Sequence, residues 1–305
     1  MHATGRAGGK VILLGEHAVV YGRPAVAAGL PIGLEVEVTE GEGPAVLSAA
    51  PELAADQRPR ELVVQAAALT GLDPTRLVVR VRSELPAGRG LGSSAALAVA
   101  VLRALATLAG RPFERAAELD AGRRLEAVFH GTPSGIDPAA AALGTCFRFV
   151  RGEPPSVTPL QPAVALPIVI AFGDRPRSTG AAVGGLRARW EADRKRYDAL
   201  FDSVAEVVER GAAAATVGDL VALGRAFDDN QALLETLGVS SDEIAQLVLA
   251  ARRAGALGAK LTGGGAGGAV IALAADPEAV AARLERAGWT ALVTRVGAPP
   301  SASTG

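Results

Sequence analysis

Residues 84–100 read ELPAGRGLGSSAALAVA, a turn of three glycines and two serines that runs straight into an apolar segment. A run of alanine, leucine and valine this continuous belongs in an interior, so the turn stands at the mouth of a buried helix. A helix N-terminus leaves backbone N–H groups unpaired and carries a positive partial charge, which suits it to an anion such as phosphate. Gly88, Gly90 and Gly92 lack a Cβ and let the backbone fold into a concavity around such a group. Ser93 and Ser94 stand where the helix begins, as a cap, a phosphate donor or a magnesium ligand. An ordinary strand-to-helix turn with a serine cap accounts for the same residues, and this segment alone leaves both readings open.

The rest of the chain sets that turn in a mixed architecture. Residues 10–40 read as extended segments (KVILLG, PAVAAGL, IGLEVEV), and RLVVRVR forms a strand between helices predicted over 61–70 and 93–109. After Pro112, FERAAELDAGRRLEAVFH reads as a helix stopped by Gly131, and DPAAAAL as a short helix with Asp137 in the capping position. Four prolines in RGEPPSVTPLQP mark 151–162 as a boundary or long connection. Beyond it AVALPIVIAFG is a strand, and helices follow over 185–215, 217–235, 241–255 and 276–287. Strands and helices mix without regular alternation, which favours two α+β units over a doubly wound sheet.

Bulk properties narrow the function classes. The 305 residues are 49% apolar, enough for substantial cores, and the formal net charge is −1 without any long Lys/Arg run. The electrostatic footprint of a nucleic-acid binder is missing. Cys146 is the single cysteine, so no intramolecular disulfide and no CxxC metal site can form, in keeping with a reducing, cytoplasmic setting. The N-terminus lacks the layout of a signal peptide. The apolar run Ala95–Leu102 falls well below the ~20 residues of a membrane-spanning helix, so no membrane partner is expected.

Three segments carry residues suited to chemistry. The glycine turn ends without Gly-Lys-Ser/Thr, which excludes a Walker loop. Gly263–Gly268 satisfies GxGxxG but leads into the strand AVIALAA, so the dinucleotide fingerprint lacks its helix. In GKVILLGEHAVVYGRPAVA, Lys10 opens an apolar strand, and Glu16 and His17 follow a glycine turn. Solvated loop positions are the plain reading of all three. In LEAVFHGTPSGIDPAAAALG, Glu126 stands near a helix end and Asp137 eleven residues later. Alone, Asp137 reads as a helix cap, and Glu126 as a partner of Arg123, Arg124 or His130.

Together, PAGRGLGSSAA, KLTGGGAGGA and GKVILLGEHAVVYG resemble the three motifs of the GHMP small-molecule kinases, in the family's order and across residues 9–269. Within that family, GEHAVVYGRPAVA and HGTPSGID are most similar to the branch that phosphorylates mevalonate. The resemblance implies a two-domain α+β fold, with an N-terminal ATP-binding domain (1–160), a ferredoxin-like C-terminal domain (161–298), the active site in the cleft between them and a disordered tail (299–305). It implies ATP and Mg2+ as cofactors, a small-molecule substrate (mevalonate) and, at the family level, a homodimer. Asp137 matches the family's catalytic aspartate and Lys10 the lysine beside it. Ser94 and Glu126 match magnesium ligands, and Gly88, Arg89, Gly90, Leu91, Gly92, Ser93 and Ser94 the phosphate-wrapping loop. Glu16, His17 and Thr179 match positions near the acid substrate.

The chain departs from the pattern in places. The third motif reads TGGGAGG where TGAGGGG is common, Gly180 stands where a basic residue often follows Thr179, Arg89 is bulky for its loop, and Gly144 is single where two glycines are usual. Two alternatives stand beside the mevalonate branch: the same chemistry on another small alcohol (a sugar, homoserine or a mevalonate derivative), and a ligand-binding member without catalysis. Intact Lys10, Ser94, Glu126 and Asp137 count against the last.

Overall fold

The computed structural model describes residues 2–48, 56–86, 88–129, 134–173, 179–265 and 268–297. The chain divides into two units, one of Met1–Lys10, Gly29–Ala87 and Leu91–Gly144, the other of Val11–Ala28, Gly88–Gly90 and Thr145–Gly305. Strands β1 (His2–Leu14) and β2 (Ala25–Glu40) therefore contribute residues to both. No helix of the described residues is long and apolar enough to cross a membrane.

In the first unit, β1 begins eight residues before the apolar run that sequence reading marks as its start. Its inward positions are small: Ala3, Gly5, Ala7 and Gly9 are buried in alternation with more open neighbours. Size is fixed by the helix behind, since a Cβ on Gly5 would lie 2.2 Å from the Ala100 carbonyl oxygen. The second half of β2 pairs antiparallel with β4 (Leu77–Ser83), from Leu34 opposite Ser83 to Glu40 opposite Leu77. Leu34, Val36 and Val38 are buried and alternate with glutamates. The short β3 (Ala45–Ser48) lies parallel to β4.

Four helices complete this unit: α1 (Arg58–Thr70), α2 (Ser93–Leu108), α3 (Arg115–Glu126) and α4 (Ile136–Leu143). Every residue of α2 from Ala95 to Leu102 is buried, as its composition demands. Arg103 of α2 donates to the carbonyls of Arg6 (2.8 Å) and Ala142 (2.7 Å), and Arg115 also reaches Ala142 O. Two guanidinium groups thus satisfy the last turn of α4 and complement its negative end.

In the second unit, the first residues of β2 pair with β5 (Cys146–Val150), and β5 forms a hairpin with β6 (Ser156–Pro159). The proline-rich stretch read as a connection thus carries a strand. The remainder is a four-stranded antiparallel sheet in the order β10-β7-β9-β8. Its strands are β7 (Leu166–Phe172), β8 (Gly258–Thr262), β9 (Ala269–Leu273) and β10 (Thr290–Val296). In chain order the first strand, helices, two strands, a helix and the last strand make the split βαββαβ arrangement expected of a ferredoxin-like domain.

The helices are α5 (Thr179–Ala192), α6 (Arg194–Val217), α7 (Leu220–Thr236), α8 (Asp242–Arg253) and α9 (Pro277–Arg286). Asp193, Asp219, Ser241 and Asp276 cap the last four by accepting from backbone N–H groups. The Asp193 cap explains why the segment expected as one helix over 185–215 is two. The tail 299–305 and residues 130–133 of HGTPSGID lie outside the described residues.

Candidate active site

The first group of functional side chains is built within the first unit. Lys10 ends that unit's share of β1, and its N–H donates to the Leu91 carbonyl (2.8 Å), tying the strand to the glycine turn. Its stem passes Gly92 so closely that a Cβ there would lie 2.6 Å from Lys10 Cγ. Gly92 is also the N-cap of α2 with φ 76°, so two independent requirements exclude a side chain at this position. The serine-cap reading is corrected: neither serine caps the helix, and Ser93 and Ser94 lie in its first turn. The solvated reading of Lys10 fails too, because the residue is 3% exposed.

Lys10 Nζ lies 3.1 Å from Asp137 Oδ1. Asp137 is not a cap. Gly135, at φ 83°, occupies that position, α4 starts at Ile136, and Asp137 sits in its first turn. A carboxylate there is favoured by the helix dipole. Glu126, at the end of α3, is buried (3% exposed) and does not pair with Arg123 or Arg124, which both engage Asp120. Burial first, and the negative charge of Asp137 second, push its carboxyl well above the usual range, against the opposing pull of Lys10. Glu126 Oε2 has no hydrogen-bond partner among the described residues. A buried carboxylate oxygen left in this state suits a hard cation, so Glu126 fits a magnesium ligand. Among the described residues no three His, Cys, Asp or Glu side chains gather as a metal-ligand set. Mg2+ asks for only one or two carboxylates beside substrate phosphates.

The second group lies within the second unit. Glu16 and His17, 1% and 6% exposed, are core residues and not solvated loop positions. Glu16 forms an ion pair with Lys260 of β8, which is fully buried and also donates to the Leu261 carbonyl (2.6 Å). His17 is the one non-glycine residue with positive φ (62°) among those described. Its pKa is lowered from 6.5 to about 4, by burial first and by the charges of Lys260 and Arg189, while a bond to the Gly264 backbone opposes the fall. Gly15 N donates to Asn230 Oδ1 of α7 (3.0 Å), and Thr262 Oγ1 both accepts from Ile12 N and donates to Ile12 O.

Arg89, from the glycine turn, is half-buried and held at one end of its guanidinium. It donates to the Gly173 carbonyl and lies 5.7 Å from the Phe172 ring centroid. Gly88 and Gly90 adopt φ 67° and 82°, as a pliable loop requires. Thr179 opens α5, and its side chain lies outside the described residues. Lys260, Asn230 and Thr262 are the residues that sequence reasoning passed over. Lys260 lies inside KLTGGGAGGA, and a lysine in a fully buried strand is the available signal.

Comparison with known proteins identifies the family. The family model "GHMP kinases N terminal domain" matches residues 60–145 and "GHMP kinases C terminal" matches 200–289. Mevalonate kinase of Thermococcus onnurineus is 32% identical over 97% of this chain and 96% of its own length. That of Methanothermobacter thermautotrophicus is 34% identical over 89% and 90%. Among solved structures, L. major mevalonate kinase in complex with R-mevalonate superposes with a TM-score of 0.85 at 26% identity, covering 98% of this chain and 97% of its own. With a two-domain α+β fold, all three motifs in place and relatives matched over about nine-tenths of their length or more, the chain belongs to the GHMP kinases.

Proposed function

We propose that the protein is a mevalonate kinase, transferring the γ-phosphoryl group of ATP to the 5-hydroxyl of mevalonate to give 5-phosphomevalonate for isoprenoid synthesis. The observation that carries the reading is the Lys10–Asp137 pair beside a buried Glu126 with one oxygen unpartnered among the described residues, in a chain whose full-length relatives are named mevalonate kinases. Phosphoryl transfer through a loose transition state asks mainly for alignment and charge stabilisation. Asp137 accepts the proton of the attacking hydroxyl. Lys10 balances charge on that oxygen and on the phosphoryl group. Backbone N–H groups of Gly88–Ser94, at the positive end of α2, cradle the phosphates. Ser94 and Glu126 would hold Mg2+, which when bound neutralises phosphate charge.

Glu16, His17 and Thr179 are assigned to positions near the alcohol substrate, with Glu16 acting through the turn that carries His17 and not by contact. In this reading residues 1–160 and 161–298 are the family's two domains, the enzyme is cytoplasmic, and it works as a homodimer on a small molecule. An ADP-release assay over mevalonate, phosphomevalonate, homoserine, galactose and other alcohols tests the reading. Turnover with mevalonate well above the others is expected, and phosphorylation of a sugar or homoserine with none of mevalonate overturns it.

A further inference from the structure

Lys260 is a charged residue with no exposed surface, in a strand whose every residue is buried. Placing an ammonium there is costly unless it is paired and hydrogen-bonded, and it is both, to Glu16 and to the Leu261 carbonyl. A packed apolar side chain would stabilise the strand as well, so the ion pair calls for another explanation.

The residue after Glu16 supplies it. His17 holds a left-handed backbone conformation that a side chain adopts only when its surroundings over-determine it, and such strain collects at functional sites. The turn is held by Asn230 at Gly15 N, by Lys260 at Glu16, and by its own bonds from Ala18 N to Glu16 O and Val20 N to His17 O. His17 bonds to the Gly264 backbone, and its Nε2 is buried with no partner among the described residues. Nδ1 therefore makes the Gly264 bond as donor and Nε2 is the acceptor.

We propose that Lys260 is a positioning residue: through Glu16 it ties the turn at Gly15–Ala18 to β8 and keeps His17 Nε2 presented as a bare acceptor for a substrate hydroxyl. The proposal rests on the kinase reading only for what the acceptor is used on. Among the described residues the charged groups acting on the ring are Lys260 from β8 and Arg189 from α5, and both oppose protonation. Glu16, the nearby anion, is neutralised by its pair with Lys260. An unprotonated ring nitrogen accepts from a hydroxyl and gives nothing to a carboxylate, so this position selects the alcohol part of a hydroxy acid.

Nitrogen-15 NMR of the histidine rings in the full chain, which has three histidines, tests the first half without any turnover. The His17 signals, identified by their loss in His17→Gln, should show a neutral Nδ1–H ring at pH 6. A protonated or Nε2–H ring overturns the proposal with no variant needed. In the charge-balanced variant Glu16→Gln/Lys260→Met, the fixed tautomer should be lost. KM for mevalonate should rise about tenfold, with kcat and the KM for ATP held within about threefold, the pattern of a lost binding contact.

Lys260→Arg, which keeps the pair, should restore most of that KM. An unchanged tautomer and mevalonate KM in the folded double variant overturns the role, as does an equal loss for both substrates. If mevalonate is not a substrate while the wild-type ring is neutral with Nδ1–H and the double variant loses it, the mevalonate assignment fails and the positioning role stands.

Discussion

At the scale of single residues, Asp137 and Glu126 are two carboxylates near one ammonium, in different situations. Asp137 is partly open and paired with Lys10, whereas Glu126 is buried with one oxygen unpartnered among the described residues. The first suits a proton acceptor and the second a cation ligand. Asp137→Asn should therefore fold normally and bind ATP nearly as well, yet lose about 10²–10⁴-fold in kcat, the range typical of general base catalysis. Single-turnover kinetics with nucleotide-binding titration checks this, and retained turnover returns Asp137 to a purely structural role in α4. Glu126→Gln should act differently, raising the Mg2+ concentration for half-maximal activity by about tenfold or more, as loss of a ligand oxygen implies. A Mg2+ titration at saturating ATP reads it, and an unshifted midpoint removes Glu126 from the metal site.

At the scale of elements, the turn into α2 must be both left-handed and bare at Gly92. Gly92→Ala meets a backbone cost of about 1–2 kcal/mol and also the Lys10 stem, 2.6 Å from the new Cβ. Gly88→Ala meets the backbone cost alone, because no described residue lies within 4 Å of its Cβ. Gly92→Ala should melt below Gly88→Ala and lose at least about tenfold more kcat through a displaced Lys10, since small misplacements of catalytic groups are costly. Equal kcat losses would mean that Lys10 moves aside without consequence. This turn was legible in the sequence because glycines, serines and the apolar run sit side by side. The start of β1 was not, because its inward residues are Ala3, Gly5 and Ala7, small enough to pass α2 and too small to read as a strand face. Lys260 escaped for a different reason: its partner Glu16 lies 244 residues away, and no local pattern couples them.

At the scale of the whole molecule, burying ionisable groups makes stability depend on pH, and two buried groups that titrate on the acid side act with opposite signs. His17 titrates at about 4 in the fold against an ordinary 6.5. Between those values the unfolded chain binds the proton and the native one does not, so stability falls as pH is lowered through that window. At 1.36 kcal/mol per pH unit the full loss is about 3 kcal/mol. Glu126 has a raised pKa, so the native state takes up its proton first, and acid adds stability until the unfolded carboxyl protonates near 4.5. The two contributions partly offset in the wild type and separate in variants. His17→Gln removes the destabilising member, so between pH 7 and pH 4 this variant should lose about 3 kcal/mol less than the wild type. Urea unfolding of both proteins at the two pH values measures the difference. Parallel loss in the two would mean that His17 is open to water in the native state, and with it the turn that Glu16 and Lys260 hold.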